Sequence, residues 1–278
     1  ETPSSASTRG NGAIFAVMPE VVKQDIRKLS ASEIEEFFVS IGEKAFRGRQ
    51  VYEWLWKKSA TDFDQMTNLS VATRDILQER FTINPIKVDR QQRSSDGTIK
   101  NAVTLHDGLI VESVLIPAEK RITACVSSQV GCSLACAFCA TARLKRMRNL
   151  SADEIYDQVV AIRDQAKEYY DRPLTNIVFM GMGEPLLNYN NVLTAIERIT
   201  SATGLGMAMK RITVSTAGIA KMIRKMADDQ VKFNLAVSLH SAVAATRTSI
   251  MPINETNSLE ELRSEEHTSE LQSPYVIS

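Results

Sequence analysis

The 278-residue sequence has no excess charge of either sign, with 33 Lys+Arg against 33 Asp+Glu, and aromatics make up only 6% of it. No apolar run reaches the ~18 residues that span a bilayer. The first seventeen residues have neither a basic head nor a continuous apolar stretch of signal-peptide length, so the chain is expected in the cytoplasm. Cysteine is scarce: Cys125, Cys132, Cys136 and Cys139 are the four present, and none follows Cys139. A disulfide scaffold spreads its cysteines to staple distant segments, so this clustering excludes one and points to a metal. With 44% hydrophobic and 24% charged residues, disorder and collagen-like repeats are excluded as well. The length suits one large domain or a large one with a smaller attachment.

Both ends differ from the rest. Residues 1–17 are small, polar and patternless, and Met18 opens a stretch that runs into helical sequence, so 1–17 is expected to be a non-native leader. After SLEELR, the run Arg263 to Ser273 has neither helical nor strand periodicity and resembles one reading frame of a sequencing-library adapter. Residues 263–278 are therefore expected to be foreign to the fold, a natural polar tail being the alternative. They hold one Arg and three Glu, so the rest of the chain carries a net +2. Neutrality then does not exclude an RNA partner.

Ser30-Ala31-Ser32-Glu33 is a capping box ahead of Ile34, Phe37, Phe38 and Ile41 at helical spacing, and Gly42 ends that element. A second helix carries Val51, Trp54 and Leu55, and a third covers about 70–80, so residues 18–84 are expected to form a small helical domain. Beyond Pro85 the pattern alternates over 86–93, 98–105 and 109–116, with Asp96-Gly97 and Asp107-Gly108 between the runs. Those are hairpin signals, and 85–120 reads as a β-meander linking two larger parts. From Arg121, strands at 121–127, 175–180, 211–216 and 233–239 alternate with helices at 151–169, 191–201 and 218–229. The α/β pattern over 121–262 predicts a parallel sheet with right-handed crossovers, whose ligands bind at the C-terminal strand ends.

Cys132, Cys136 and Cys139 stand in CxxxCxxC spacing on the loop after the first of these strands. A structural zinc site takes four closed ligands, usually as two CxxC-type pairs, and no second pair exists. A [4Fe–4S] cluster on three thiolates keeps one iron open for chemistry. Structural zinc and unrelated buried thiols remain alternatives. Gly181-Met182-Gly183-Glu184-Pro185 follows the strand 175–180, where glycines allow close approach and a carboxylate can receive an ammonium group. Ser215 ends the next strand, and Ser238-Leu239-His240 ends the one after.

The cysteine spacing, with Phe138 before the third cysteine, resembles the radical S-adenosylmethionine (SAM) superfamily. That resemblance implies a partial (β/α)6 barrel in which SAM chelates the open iron and is cleaved by one electron to methionine and a 5′-deoxyadenosyl radical. It implies cluster ligation by Cys132, Cys136 and Cys139, and SAM contacts from Gly183, Glu184, Ser215, Ser238, Leu239 and His240. The strings FRGRQVYEWLW, QRSSDGTIK, CVSSQVGCSLACAFCATA, TNIVFMGMGEPLLN, RITVSTAG, LAVSLHS and IMPIN further resemble the bacterial dual-specificity RNA adenine-C2 methyltransferases, the RlmN family, over about residues 28–262.

Membership would imply methylation of C2 of an adenosine in 23S rRNA and of the adenosine beside the anticodon in tRNA. It would also imply a flavodoxin- or ferredoxin-like electron donor and a monomer. The implied route passes through a methylated cysteine near the C-terminus, whose adduct with RNA is resolved by a second cysteine through a disulfide. Cys125 matches the resolving cysteine and Glu112 the proton acceptor, while the basic stretch Arg143, Lys145, Arg146 and Arg148 would meet RNA phosphates. The sequence departs from the family in having no cysteine after Cys139 and only four βα units of barrel. The chain is therefore expected to be truncated and unable to complete methyl transfer. A C8-specific sister methyltransferase and a non-catalytic Fe–S or zinc RNA-binding protein are the competing readings.

Overall fold

The computed structural model describes residues 23–268 and 276–277. The expected leader 1–17, the start at Met18 and the tail residues 269–275 lie outside the described residues. The chain opens with β1 (Gln24–Asp25) and the helices α1 (Ala31–Ser40), α2 (Phe46–Trp56) and α3 (Val71–Arg80). The capping box forms as expected: the Glu33 N–H donates to Ser30 Oγ at 3.2 Å, and the Ser30 N–H donates to the Glu33 carboxylate at 2.7 Å. Ile34 and Phe38, at i and i+4, are buried together with Val51, Leu55 and Trp56. β2 (Phe81–Thr82) pairs in parallel with β1 and closes the helical unit.

β3 (Lys87–Arg93), β4 (Ile99–Thr104) and β5 (Ile110–Pro117) are antiparallel neighbours turned at the two Asp-Gly dipeptides. Next come β6 (Ile122–Cys125), β7 (Gln129–Val130), β8 (Arg148–Asn149), α4 (Ala152–Tyr170), β9 (Asn176–Phe179) and α5 (Tyr189–Thr200). The chain continues with β10 (Ile212–Thr216), α6 (Ala220–Asp228), β11 (Asn234–Val237), α7 (Ala244–Ile250), α8 (Leu259–Thr268) and β12 (Val276–Ile277). One eight-stranded sheet runs in the order β12-β11-β10-β9-β6-β5-β4-β3. The meander is thus no free linker, since β5 pairs antiparallel with β6 and extends the parallel barrel sheet. Local alternation announces a strand but not its distant neighbour, which is why the join was illegible.

Register divides the sheet into two faces. Leu115, Ala124 and Ile177 lie opposite one another, as do Phe179 and Val214, and this face is buried under helices. Side chains alternate along a strand, so Val114, Cys125, Val178, Thr213 and Ser215 share the other face, with Glu112 two residues from Val114. Candidate functional groups therefore fall on the face that the crossover helices leave open.

Buried charge joins the helical unit to α4. The Arg27 side chain, 3% exposed, contacts Asp25 at 3.1 Å, Asp153 at 3.4 Å and Asp157 at 2.8 Å, and also donates to Asn84 O at 2.7 Å. Beside it the Trp56 and Tyr156 rings meet edge to face at 5.1 Å.

One expectation about the end of the chain is corrected. Arg263 to Thr268 continues α8, because Ser258 Oγ accepts the Glu261 N–H at 3.1 Å at its start and the residues that follow are mostly good helix formers. The outer edge of β11 pairs in parallel with Val276–Ile277. Among the described residues no helix is long and apolar enough to cross a membrane.

Candidate functional site

β7 and β8 pair antiparallel, and the Met147 N–H donates to Val130 O at 2.8 Å, so residues 131–147 are pinched into a loop just beyond β6. Cys132, Cys136 and Cys139 lie on that loop as free, half-buried thiols. The Cys139 N–H donates to Cys136 O at 3.1 Å, forming a tight turn between two of them. The Ala137 N–H donates to Ile250 O at 2.9 Å and anchors the loop on the end of α7. The Phe138 ring stands 4.0 Å from the ring of His240, which occupies left-handed backbone (φ 56°) at the end of β11. His240 thus spends its ring on the aromatic before the third cysteine.

Burial pushes the Cys132 and Cys136 thiols above their ordinary value, and their closeness to one another, to Cys139 and to Glu184 adds to the rise. A coordinating metal reverses this, because a thiol bound to it is deprotonated outright. Among the described residues no three His, Cys, Asp or Glu side chains group closely enough to hold a single ion. A cluster bonds each thiolate to a different iron, and three free soft ligands with no fourth cysteine on the loop suit one that keeps an open iron.

The GMGEP segment is stitched to the strand end beside this loop. The Gly181 N–H donates to Val126 O at 3.1 Å, the Met182 N–H to Ser127 Oγ at 2.8 Å, and the Ser128 and Gln129 N–H groups to Met182 O at 2.9 and 3.1 Å. Glu184 is 3% exposed. Its N–H donates to Gln129 Oε1 at 2.9 Å, while its carboxylate accepts from the Leu186 and Ala217 N–H groups at 3.0 and 2.8 Å. Burial pushes that carboxyl up, and the amides it accepts pull against the rise. Glu184 therefore clamps this loop to the end of β10, a structural task that the motif alone does not reveal.

Gly183 has φ +93°, and an added Cβ would fall 2.4 Å from Gln129 Cβ and 2.8 Å from Gln129 N. Gly183→Ala should lower stability by about 3 kcal/mol in urea denaturation, since strain and overpacking add. Gly108→Ala, at φ +79° but in open space, should lose only about 1 kcal/mol. Equal losses would mean that packing against Gln129 has no weight.

Ser215 and Ser238 face each other across β10 and the end of β11, with their Oγ atoms 3.5 Å apart. Leu239 offers its carbonyl, which accepts from Arg247 Nε at 3.2 Å. Cys125 closes β6 on the open face, and burial pushes its thiol up to about 11, so it stands protonated. Glu112 is exposed and pairs with Lys100 at 2.9 Å, while its carbonyl accepts from Ser127 Oγ at 2.5 Å. The disulfide that the resemblance implied is not borne out: all four cysteines are free, and the C-terminal cysteine that would pair with Cys125 is not among them.

The basic stretch is corrected in part. Arg148 donates bidentately to the buried Glu154 carboxylate, both contacts at 2.8 Å, and to Asp107 at 2.6 Å, so it is bound up in the protein. Arg143, Lys145 and Arg146 remain exposed. Ser127 and Gln129, which join the GMGEP segment to the cysteine loop, escaped sequence reasoning because small polar residues at a strand end carry no spacing signal. Gln129 Nε2 also donates to Asn149 Oδ1 at 2.8 Å, linking the segment to β8.

Residues 24–83 match the family model described as the ribosomal RNA large subunit methyltransferase N-terminal domain, and residues 126–244 match that of the radical SAM superfamily. The chain is 67% identical over 241 residues to a protein of Christiangramia forsetii named "Probable dual-specificity RNA methyltransferase RlmN", covering 87% of this chain and 68% of that one. It is 44% identical over 238 residues to the "Dual-specificity RNA methyltransferase RlmN" of Syntrophus aciditrophicus, covering 86% and 68%. Its fold is similar to the crystal structure of a radical SAM methyltransferase from Sphaerobacter thermophilus, with TM-score 0.84 and 36% identity, covering 91% of this chain and 75% of that one.

Proposed function

The chain belongs to the RlmN family of radical SAM methyltransferases, and from that premise we propose that its site serves methylation of adenosine C2 in 23S rRNA and tRNA in the cytoplasm. The observation that carries this reading is the cysteine loop itself: three free thiols held by β7 and β8 beside the GMGEP segment and the open sheet face. Ordinary nucleophilic transfer fails at C2, an electrophilic carbon without a lone pair. When bound, a [4Fe–4S] cluster and SAM supply the strong reductant and the carbon radical that such a position requires.

In this assignment Cys132, Cys136 and Cys139 hold the cluster, while Gly183, Glu184, Ser215, Ser238, Leu239 and His240 line the SAM side. Residues 18–84 serve as the accessory domain and 121–262 as the core. Arg143, Lys145, Arg146 and the helical unit meet RNA phosphates. The Cys125 thiol, protonated as it stands, acts as the resolving cysteine only after losing its proton, and Glu112 on the same face is the reaction's proton acceptor. The electron donor is a flavodoxin or ferredoxin, and the chain acts as a monomer.

Liquid chromatography with mass spectrometry tests the reading on the anaerobically reconstituted chain given SAM, dithionite and a 23S rRNA fragment. Methionine and 5′-deoxyadenosine are expected. Within these residues no cysteine follows Cys139, so 2-methyladenosine is not expected from them alone. Intact SAM, or 8-methyladenosine in the RNA, would contradict the proposal.

A further inference from the structure

Arg247 on α7 is 0% exposed, yet it has no counter-ion among the described residues. Its Nε donates to Leu239 O at 3.2 Å, Nη1 to Asn254 Oδ1 at 2.6 Å, and Nη2 to Ala217 O at 2.6 Å and Ser238 O at 3.4 Å. All of these acceptors are neutral. An arginine stays charged in a protein, and burying a cation without an anion is costly. Neutral acceptors offset that cost only in part, so the fold keeps an uncompensated positive charge at this place.

The place is specific. The carbonyls gripped by Arg247 end β10 and β11, the strands that carry Ser215 and Ser238. The helix that carries Arg247 also accepts the N–H of Ala137, next in sequence to Cys136, through Ile250 O at 2.9 Å. Backbone anchoring and fixed charge therefore converge beneath the cysteine loop.

We infer that Arg247 is a positioning residue for the redox centre: it locks the ends of β10 and β11 under the cysteine loop and supplies the buried counter-charge of the cluster. This rests on the reading that Cys132, Cys136 and Cys139 hold that cluster. Three thiolates on a [4Fe–4S] core of charge +2 sum to one negative charge. One electron from an external reductant adds a second, with no bond made or broken. A fixed buried cation favours the more negative state and raises the reduction potential.

The test is a dithionite titration, followed by electron paramagnetic resonance, of the reconstituted 278-residue chain and three variants. Arg247→Gln should shift the reduction equilibrium about tenfold toward the oxidised cluster, which for one electron is about 59 mV. Asn254→Asp keeps the arginine but sets a carboxylate against its guanidinium, so it should shift the equilibrium the same way and decides the matter if Arg247→Gln takes up no iron. Arg247→Lys, which keeps the charge, should stay within about threefold of the parent. An unchanged potential in cluster-bearing Arg247→Gln or Asn254→Asp overturns the inference, as does an Arg247→Lys shift equal to that of Arg247→Gln. A parent chain that takes up no cluster overturns the proposed function itself, and this inference with it.

Discussion

Cys136→Ala should leave the anaerobically reconstituted chain with only a small fraction of the roughly four irons of a [4Fe–4S] cluster, and should slow reductive SAM cleavage by about a hundredfold or more. The reason is the number of ligands. The loop offers three thiols, and the fourth cysteine ends β6, outside that loop. Removal of a ligand exceeds the loss expected for an outer-shell partner, which is about 10–100-fold. Cys125→Ala provides the contrast: it should keep the iron, because Cys125 lies on β6 and not on the pinched loop. Iron analysis and the absorbance of the reconstituted proteins measure both. Full iron in Cys136→Ala, or loss of iron in Cys125→Ala, would reassign the ligands.

Arg27→Met should destabilise the folded chain by about 3–5 kcal/mol, read as a lowered urea midpoint. The substitution leaves the carboxylates of Asp25, Asp153 and Asp157 packed together without the guanidinium that all three contact. Burial alone pushes the Asp157 carboxyl up and Arg27 draws it back, so without the arginine that group should take up a proton. Lys28, which also pairs with Asp153, is partly exposed and reaches only one of the three. Arg27→Lys should recover part of the loss but not the fork that serves several acceptors at once. A cost below about 1 kcal/mol for Arg27→Met would place this knot among ordinary surface ion pairs. Because the knot joins β1 to α4, the same variant should loosen the helical unit from the sheet before the sheet itself unfolds.

The two results bear on different parts of what a reader of the sequence can and cannot see. Element ends were legible where local chemistry sets them: Ser30 with Glu33 forms the expected capping box, and the Asp-Gly dipeptides turn the expected hairpins. The cysteine loop and the GMGEP segment were legible because spacing and order along the chain suffice for them. Pairing between β5 and β6 was not, since long-range register leaves no local trace. Nor were Arg27 and Arg247, each an isolated arginine that in sequence reads as a solvated charge and in the fold is enclosed. Arg148 erred the other way, counted with a basic stretch but committed to Glu154 and Asp107.

Glu184 has a structural duty beside the ligand-binding one proposed for it. Its carboxylate accepts the amides of Leu186 and Ala217, so it holds the segment that carries Gly183 against the end of β10. A ligand ammonium arriving there would meet a carboxylate already fixed in position, which lowers the ordering cost of recognition.

The most direct measurement of the central claim, that the loop thiols hold a cluster with one iron open beside the GMGEP segment, is the electron paramagnetic resonance spectrum of the reduced, reconstituted chain with and without SAM. The account predicts about four irons per chain and a [4Fe–4S] signal that changes when SAM is added. A bound zinc in place of iron, or a cluster signal indifferent to SAM, would contradict it.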